Sequence, residues 1–502
     1  MFELMNKPHY SIVIFFCLVT TISVHSQTIT SRVVDPKTNE GIPYATIQFS
    51  EHRGIITNEE GRFSINLNSG QEQQDSIYIS SMGYKKTAIP FKINLDSVLF
   101  IEPQAIELNE VYLFNNELSV DEIIDKVKEN LPANYTKQPV KERLFFREAS
   151  YNTLTKLDIE FKESTIEELN KKFLDSVVSI LPRNASYYTE SLCDYYLNNE
   201  DDKLYIEKAA ELYDKNNEGS MEALSSKLEG IFKANVKPDS YLKIKSGWFG
   251  QKVQVDSILN EAKKDSIAKL KEEEVGGDRP FLERRKRQLN NLYSGLFYKE
   301  DSKLNFIDKS NRYDFHLKGY TAIDDQGVYI IEFYPKRSED FSGIFYVNIE
   351  DFAIMRIDYK NVKSLKRIKL LGFSYEEITF KGTTIYSKGP GNSYQLRFLD
   401  QEFGRKMGVR RPLSVIEKNK YVKGKRKQNE LTMEIDLINF NTEKYEVVVF
   451  GNESLLPETF KNAKENHSVK ATYLSSYNPE FWKGYDIMEP NKAIREFTVS
   501  DK

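Results

Sequence analysis

The residues able to do chemistry in this sequence are few and far apart. Of its five histidines, His9 and His25 lie in the first 26 residues, leaving His52, His316 and His467. None of these three has a Glu at an offset of three, and none sits in a His-Glu-x-x-His frame. A catalytic zinc needs about three protein ligands and an open fourth position, so metal-assisted hydrolysis is not expected. A serine nucleophile would stand on a Gly-x-Ser-x-Gly elbow aimed at backbone oxyanion donors, and no such elbow occurs. Gly389-Pro390-Gly391 lacks the further glycine of a dinucleotide loop, because Tyr394 holds that place. Lys388-Gly389-Pro390-Gly391-Asn392 reads instead as a hairpin turn, and no phosphate loop is present. Cys193, followed by Asp194-Tyr195-Tyr196, has no cationic neighbour in sequence to ionise a thiol, and is expected to be a buried structural cysteine. Carboxylates are the class that counting cannot dismiss, since 75 Asp and Glu always include pairs that could fold to glycosidase spacing. No catalytic residue, metal ligand or cofactor is assigned, and an enzyme is not expected.

Two basic clusters remain: Arg284-Arg285-Lys286-Arg287, and Lys418, Lys420, Lys423, Lys425, Arg426 and Lys427. Each Lys or Arg near an anionic surface adds about 1 kcal/mol of attraction. Lys423, Lys425, Arg426 and Lys427 are therefore the candidate ligand-binding surface, for lipid headgroups or envelope polysaccharide. The plainer readings are a solvated helix face for the first cluster and a charged hairpin for the second. The hairpin is favoured, because the second cluster separates Val415-Ile416 from Leu431-Thr432-Met433 and Gly424 suits a tight turn. With 71 basic and 75 acidic residues the formal charge is −4, which gives no reason to expect nucleic acid.

Lys7 precedes an apolar run from Ile12 to Val24 that closes on Val24-His25-Ser26. A run of about 13 residues is shorter than the roughly 20 a membrane-spanning helix requires. Residues 1–26 thus read as a secretory signal peptide cleaved before Gln27. Beyond it no stretch reaches spanning length, so no transmembrane span is expected in the mature chain. Cys193 would be the one cysteine left after cleavage, so no internal disulfide can form and stability must come from packing.

From residue 27 to 114 the chain reads as short strands cut by turns. Ile29, Ser31 and Val33 alternate with Thr30, Arg32 and Val34; Ala45, Ile47 and Phe49 alternate with Tyr44, Thr46 and Gln48. Turns fall at Asp35–Gly41 and Thr57–Gly61. Residues 115–300 read as mixed α and β. Ser119-Val120-Asp121-Glu122 is a capping box opening a helix on Ile123, Ile124, Val127 and Leu131 that Pro132 stops. Arg143–Ala149 and Leu157–Phe161 read as two strands paired around Tyr151-Asn152-Thr153. Leu224, Leu228, Ile231 and Phe232 keep helical spacing, as do Leu289, Leu292, Tyr293 and Leu296. A charged insert near 256–283 reads as a solvated helical hairpin. Over 301–455 strands dominate, each with one dry face and one wet face, such as Tyr329, Ile331, Phe333 against Glu332. A long antiparallel sheet of this kind curls. Residues 456–502 are taken as a C-terminal tail.

Four motifs in order carry a resemblance: Gly41-Ile42-Pro43-Tyr44-Ala45-Thr46-Ile47, Thr57-Asn58-Glu59-Glu60-Gly61-Arg62-Phe63, Ser80-Ser81-Met82-Gly83-Tyr84 and Leu108-Asn109-Glu110-Val111. They resemble the carboxypeptidase-like regulatory domain, which implies a transthyretin-like sandwich. That module occurs at the N-termini of exported proteins, outer-membrane receptors among them, and the resemblance implies no chemistry. Gly319-Tyr320, Gly327–Phe333, Gly343–Asn348 and Phe352-Ala353-Ile354 are similar to consecutive strands of periplasmic lipoprotein-carrier-like half-barrels. That second resemblance implies a concave sheet able to hold acyl chains. Tyr477-Asn478-Pro479-Glu480-Phe481-Trp482 resembles the closing segment of exported proteins that begin with the same regulatory domain.

The expected fold is mainly β with an α+β middle: a small N-terminal antiparallel β-sandwich, then a larger curved antiparallel sheet or half-barrel decorated with helices. The expected function is a non-enzymatic cell-envelope binding or accessory protein, in the periplasm or at the periplasmic face of the outer membrane. It would shelter a lipid or other apolar ligand in the curved sheet. The first alternative is a structural partner of an outer-membrane receptor or barrel assembly, without ligand; the second is a carbohydrate- or peptide-active hydrolase. Envelope proteins, an outer-membrane receptor, lipid or polysaccharide are the expected partners.

Overall fold

A computed structural model of the chain describes residues 27–50, 53–67, 76–90, 96–104, 118–135, 139–198, 201–247, 249–255, 280–300, 302–323, 326–389, 391–419, 421–424 and 426–499. Residues 1–26, read from sequence as a signal peptide, His52, Leu108-Asn109-Glu110-Val111, residues 256–279 of the charged insert, Pro390, Lys420 and Lys425 lie outside the described residues.

The N-terminal module contains β1 (Gln27–Val34), β2 (Thr46–Ser50), β3 (Arg53–Ile56), β4 (Arg62–Leu67), β5 (Ser76–Ser80), β6 (Thr87–Pro90) and β7 (Leu99–Phe100). They form two sheets, ordered β4-β1-β7 and β3-β2-β5-β6. Every pair is antiparallel except the two-residue pairing of β1 with β7. The alternation read from sequence turns Val33, Ala45, Ile47, Phe63, Ile65, Ile77 and Ile79 inward. Local chemistry sets the turns. Asp35 accepts hydrogen bonds from the Lys37 and Thr38 amides at 2.7 and 3.2 Å, and Asn58 accepts from those of Glu60 and Arg62, each at 2.9 Å. The two turns then press together: a Cβ on Gly41 would stand 1.9 Å from the Glu60 carbonyl oxygen.

Helix α1 (Val120–Asn134) leads to β8 (Val140–Ser164), α2 (Lys171–Ile180), β9 (Asn184–Leu197) and β10 (Asp202–Tyr213). Helix α3 (Lys215–Asn235) and the hairpin β11 (Tyr241–Ser246) and β12 (Phe249–Gln254) follow. After α4 (Phe281–Ser294) come β13 (Tyr313–Ile323), β14 (Gln326–Pro335), β15 (Phe341–Asn348), β16 (Ile354–Asn361), β17 (Lys366–Leu370), β18 (Phe373–Lys388), β19 (Tyr394–Lys418) and β20 (Lys427–Ser454). Short helix α5 (Pro457–Asn462), strand β21 (Thr472–Leu474) and short helix α6 (Lys492–Arg495) follow, with single 3₁₀ turns at Ser310–Arg312 and Pro479–Trp482. One 14-stranded sheet runs β13-β14-β15-β16-β18-β19-β20-β8-β9-β10-β21, with β11 and β12 added beside β19 and β17 beside β18. Strands before and after residue 300 thus share one sheet. Among the described residues no helix is long and apolar enough to cross a membrane.

Two local expectations are corrected. Residues 143–149 and 157–161 do not pair with each other; they belong to one 25-residue strand. Tyr151, Asn152 and Thr153 are laddered on both sides, to Thr442, Asn441 and Phe440 and to Ser186, Ala185 and Asn184. With partners on both edges, their backbone groups are satisfied only when extended. Pro132 does not stop α1, which runs on to Asn134. A missing N–H removes a single bond of the ladder there, and the Tyr135 amide still donates to Leu131 O at 3.1 Å.

The inward face of the large sheet is filled by the chain itself. The Ser119 capping box forms as expected, with Glu122 reaching back. It starts a helix whose Ile123, Ile124 and Val127 pack with Leu282, Leu289 and Leu292 of α4 and with Leu296, Phe297 and Phe306 beyond it. These side chains meet Phe146, Tyr195, Phe333, Phe345, Tyr386 and Val447 of the sheet in one core. Phe306 stacks on Phe333 at 4.3 Å, while Tyr293 packs against Tyr195 at 5.2 Å, so one plug spans both limbs of the sheet. The expected solvated face of Arg284–Arg287 is corrected here as well. Arg285 is fully buried and donates to the Phe146 carbonyl and the Glu148 carboxylate, both at 2.9 Å. Arg284 meets Glu211 at 2.7 Å and Lys286 meets Glu465 at 3.1 Å.

Candidate functional site

On the outward face, register places a row of polar side chains directly opposite one another across six strands. Asp358 faces Thr383, Thr383 faces Asp400, Asp400 faces Glu446, Glu446 faces Arg147 and Arg147 faces Glu190. Two residues along each strand the same face carries Ile385, Phe398, Val448, Phe145 and Leu192, also in register. A period of two puts both rows on one face, an apolar stripe beside an ionic one. The sandwich and the segment after β21 close over both. Tyr44 packs at a tilt against Phe398 at 4.6 Å, and Trp482 meets Phe145 edge-on at 5.4 Å.

The ionic row holds together through its own partners. Arg147, 1% exposed, donates to Glu190 at 2.7–2.8 Å, to Glu446 at 3.4 Å and to the Met488 carbonyl at 2.7 Å. Trp482 Nε1 donates to the second Glu190 oxygen at 2.8 Å. Burial works against the Arg147 charge, but Glu190 and Glu446 overrule it and raise its pKa. Lys444 reaches Glu59 of the sandwich at 2.9 Å, Glu446 at 3.5 Å and Asp400 at 3.8 Å. The Tyr44 hydroxyl donates to Asp400 at 2.7 Å. Burial pushes the Asp400 carboxyl up to about 6; Lys444 opposes this and Glu446 adds to it. Burial also raises Glu446, but Lys444 and Arg147 bring it below the ordinary value.

Two hollows flank Tyr44 where sandwich meets sheet. One, of about 580 Å³, is lined by Glu59, Asp358, Lys360, Lys381, Glu402 and Lys444. The other, of about 460 Å³, is lined by Gln48, Met82, Arg356, Lys388 and Arg397 among others. Its cations are engaged: Arg356 grips Asp358 through two bonds of 2.8 and 2.9 Å, Lys388 meets Asp351 at 2.9 Å, and Arg397 donates to Val449 O at 2.5 Å. Of the carboxylates beside these hollows, Asp400 is raised by burial, the direction a general acid or base needs. Its bonded neighbours, however, are a phenol and an ammonium of its own chain, and the arrangement fastens the sandwich in place.

The candidate basic residues lie elsewhere. Lys423 and Arg426 are exposed on the β19–β20 turn, where Gly424 has φ +94°, and Lys427 pairs with Glu430. This is the hairpin the sequence favoured, remote in register from the ionic row. Cys193 is buried, and burial pushes its thiol up to about 12. His467 lies 3.4 Å from Glu283 on the surface. Among the described residues no three His, Cys, Asp or Glu side chains gather to hold a metal.

Sequence reasoning missed Arg147, Glu190, Asp400, Glu446 and Trp482. The available signal was a charge flanked by apolar residues, as in Leu144-Phe145-Phe146-Arg147 and Glu446-Val447-Val448-Val449. It also missed Glu142, buried on the inward face, where desolvation raises the carboxyl to about 7 although the Tyr293 hydroxyl donates to it.

Residues 29–113 match the CarboxypepD_reg-like domain family. Among solved structures, distant matches include a DUF1329 family protein from Desulfovibrio piger, at 10% identity and TM-score 0.16, covering 68% of this chain and 97% of that one. MucB in complex with MucA(peri) matches at 7% identity and TM-score 0.16, covering 67% and 100%. The MucA/MucB complex of Pseudomonas aeruginosa matches at 6% identity and TM-score 0.16, covering 67% and 98%. Likenesses this weak carry no argument about function. No curated protein matches the chain.

Proposed function

We propose that this chain is an exported, non-catalytic scaffold of the cell envelope that engages other envelope components through its outer surface. Of the sequence readings this favours the structural partner over the lipid shelter. The observation that carries it is the filled inward face: α1, α4 and Leu296, Phe297, Leu304, Phe306 and Ile307 occupy the volume an acyl chain would need. The regulatory-type sandwich supports the same reading, since its Tyr44 and Glu59 are spent on fastening it to the sheet. Export rests on the apolar segment of residues 12–24, and N-terminal sequencing of the mature protein should begin at Gln27.

Native mass spectrometry and solvent extraction of the purified mature chain test the scaffold reading. No stoichiometric lipid should be found, and a fluorescent fatty-acid probe should not saturate. One acyl chain bound per protein, displaced by that probe, would restore the shelter. Turnover in a glycoside and peptide screen that disappears in Asp400→Asn would make the chain an enzyme.

A further inference from the structure

The far end of the large sheet carries an exposed apolar turn that folding alone does not call for. β17 and β18 pair Leu370 with Phe373 and Ile368 with Tyr375, joined by Leu371 and Gly372 at φ +49° and +86°. Two central residues at positive φ suit a type I′ turn, for which Asn and Gly are the favoured residues; a leucine there carries the left-handed penalty. Yet Leu371 is 55% exposed, Leu370 61% and Phe373 50%. Register extends this face inward, with Ile368, Tyr375 and Met407 in one row and Leu370, Phe373 and Val409 in the next.

Cations surround it. All of β17 is exposed, Lys366, Arg367 and Lys369 included. Arg410, 77% exposed on its side chain, stands beside the turn and donates its amide to Gly372 O at 2.7 Å. The acidic groups nearby are Glu376, bonded to Arg367 and Ser364, Glu377, bonded to Tyr375, and Asp436, which lies 3.7 Å from Arg410. Where β18 stops, β11 takes its place along β19, pairing Lys245 with Ser414 and Lys243 with Ile416. Lysines crowd there enough to lower the pKa of Lys243, with Lys245 the largest cause and Lys418 and Lys252 adding to it. From Val409 to Lys418 is about 30 Å of strand. The β19–β20 turn with exposed Lys423 and Arg426 ends this edge.

We propose that this edge is a membrane-docking surface: Leu370, Leu371 and Phe373 enter the headgroup region of an anionic bilayer, and the lysines and arginines around them bind its phosphates. Charge complementarity selects the occupant. Apolar residues at a protruding turn, ringed by an excess of exposed cations, match a surface that is negative outside and apolar beneath.

The mature chain is floated with vesicles of phosphatidylethanolamine and phosphatidylglycerol, mixed roughly three to one, and with phosphatidylcholine vesicles. It should bind the anionic vesicles, release them at high salt and leave the neutral ones unbound. Lys366→Glu with Lys369→Glu, and separately Leu370→Ser with Phe373→Ser, should each weaken binding about tenfold or more. Leu371→Asn should weaken it while holding or raising the melting temperature, because Asn suits the turn, so loss of binding there is not loss of fold. Absence of anionic-vesicle binding by the folded chain overturns the proposal, as does full binding by the folded tip variants. A protein cross-linked at position 371 in detergent, with no vesicle binding, assigns the edge to a protein partner and overturns it as well.

Discussion

Arg147, Glu190, Glu446 and Trp482 meet out of contact with water, so what they contribute depends on partners rather than on charge. Desolvating each ion costs several kcal/mol, which the remaining groups offset only while the set is complete. Arg147→Met strands two buried carboxylates and should cost about 3–5 kcal/mol, read as a lower urea midpoint at unchanged slope. Glu142 tests a different balance. Its folded carboxyl, raised from 4.5 to about 7, holds a proton the unfolded chain has released, so stability should fall as pH rises through that window. A shift of that size corresponds to about 3 kcal/mol once the group is ionised. Glu142→Gln can still accept the Tyr293 hydroxyl and cannot ionise. Denaturation at pH 5 should therefore find the two proteins similar, and at pH 8 the variant should be the more stable. Equal stabilities at both values would remove Glu142 from the account. Asp400 acts in the same direction between 3.8 and about 6.

At the scale of elements, glycine positions show which turns are constrained by conformation and which also by contact. Gly61 and Gly83 have nearly the same φ, +77° and +79°. A Cβ on Gly61 would lie 2.4 Å from Val33 O, while one on Gly83 meets nothing within 4 Å. Alanine at either should incur the left-handed penalty of about 1–2 kcal/mol. Only Gly61→Ala should go further and open the sandwich, which comparing the two melting temperatures would show; equal losses would mean the contact relaxes freely. Helix α1 depends on its cap in the ordinary way. Ser119→Ala should cost about 1 kcal/mol, visible in the thermal midpoint.

The whole molecule is held by the segment that follows β21. The Pro490 carbonyl accepts from Asn58 at 3.0 Å, Arg495 meets Glu60 at 2.6 Å, and Ile487, Met488 and Ile494 join the core shared by sandwich and sheet. What reads in sequence as a tail is a clasp. A chain ending at Leu474 should therefore show a separate, earlier unfolding transition for the sandwich in calorimetry. A single unshifted transition would mean that Tyr44, Glu59 and the apolar stripe suffice.

Much of this protein was legible in the sequence because the signals are local. Alternation marked the dry faces of Ala45–Phe49 and Tyr329–Phe333, Ser119 and Glu122 marked the start of a helix, and Gly41, Gly61 and Gly424 marked turns. The sheet-rich architecture follows from those patterns. What covers each dry face could not be read there, because the cover comes from distant chain: α4 packs on a sheet face that the strand pattern alone presents as open, and Trp482 closes the opposite side. The fate of charges was equally hidden. Arg285 looks like a solvated helix residue and Arg147 like an interruption of a strand until Glu148, Glu190 and Met488, between 43 and 341 residues away, are brought alongside. Periodicity is a property of neighbouring residues, whereas desolvation depends on everything the folded chain packs around a group, so the first could be read from the sequence and the second existed only in three dimensions.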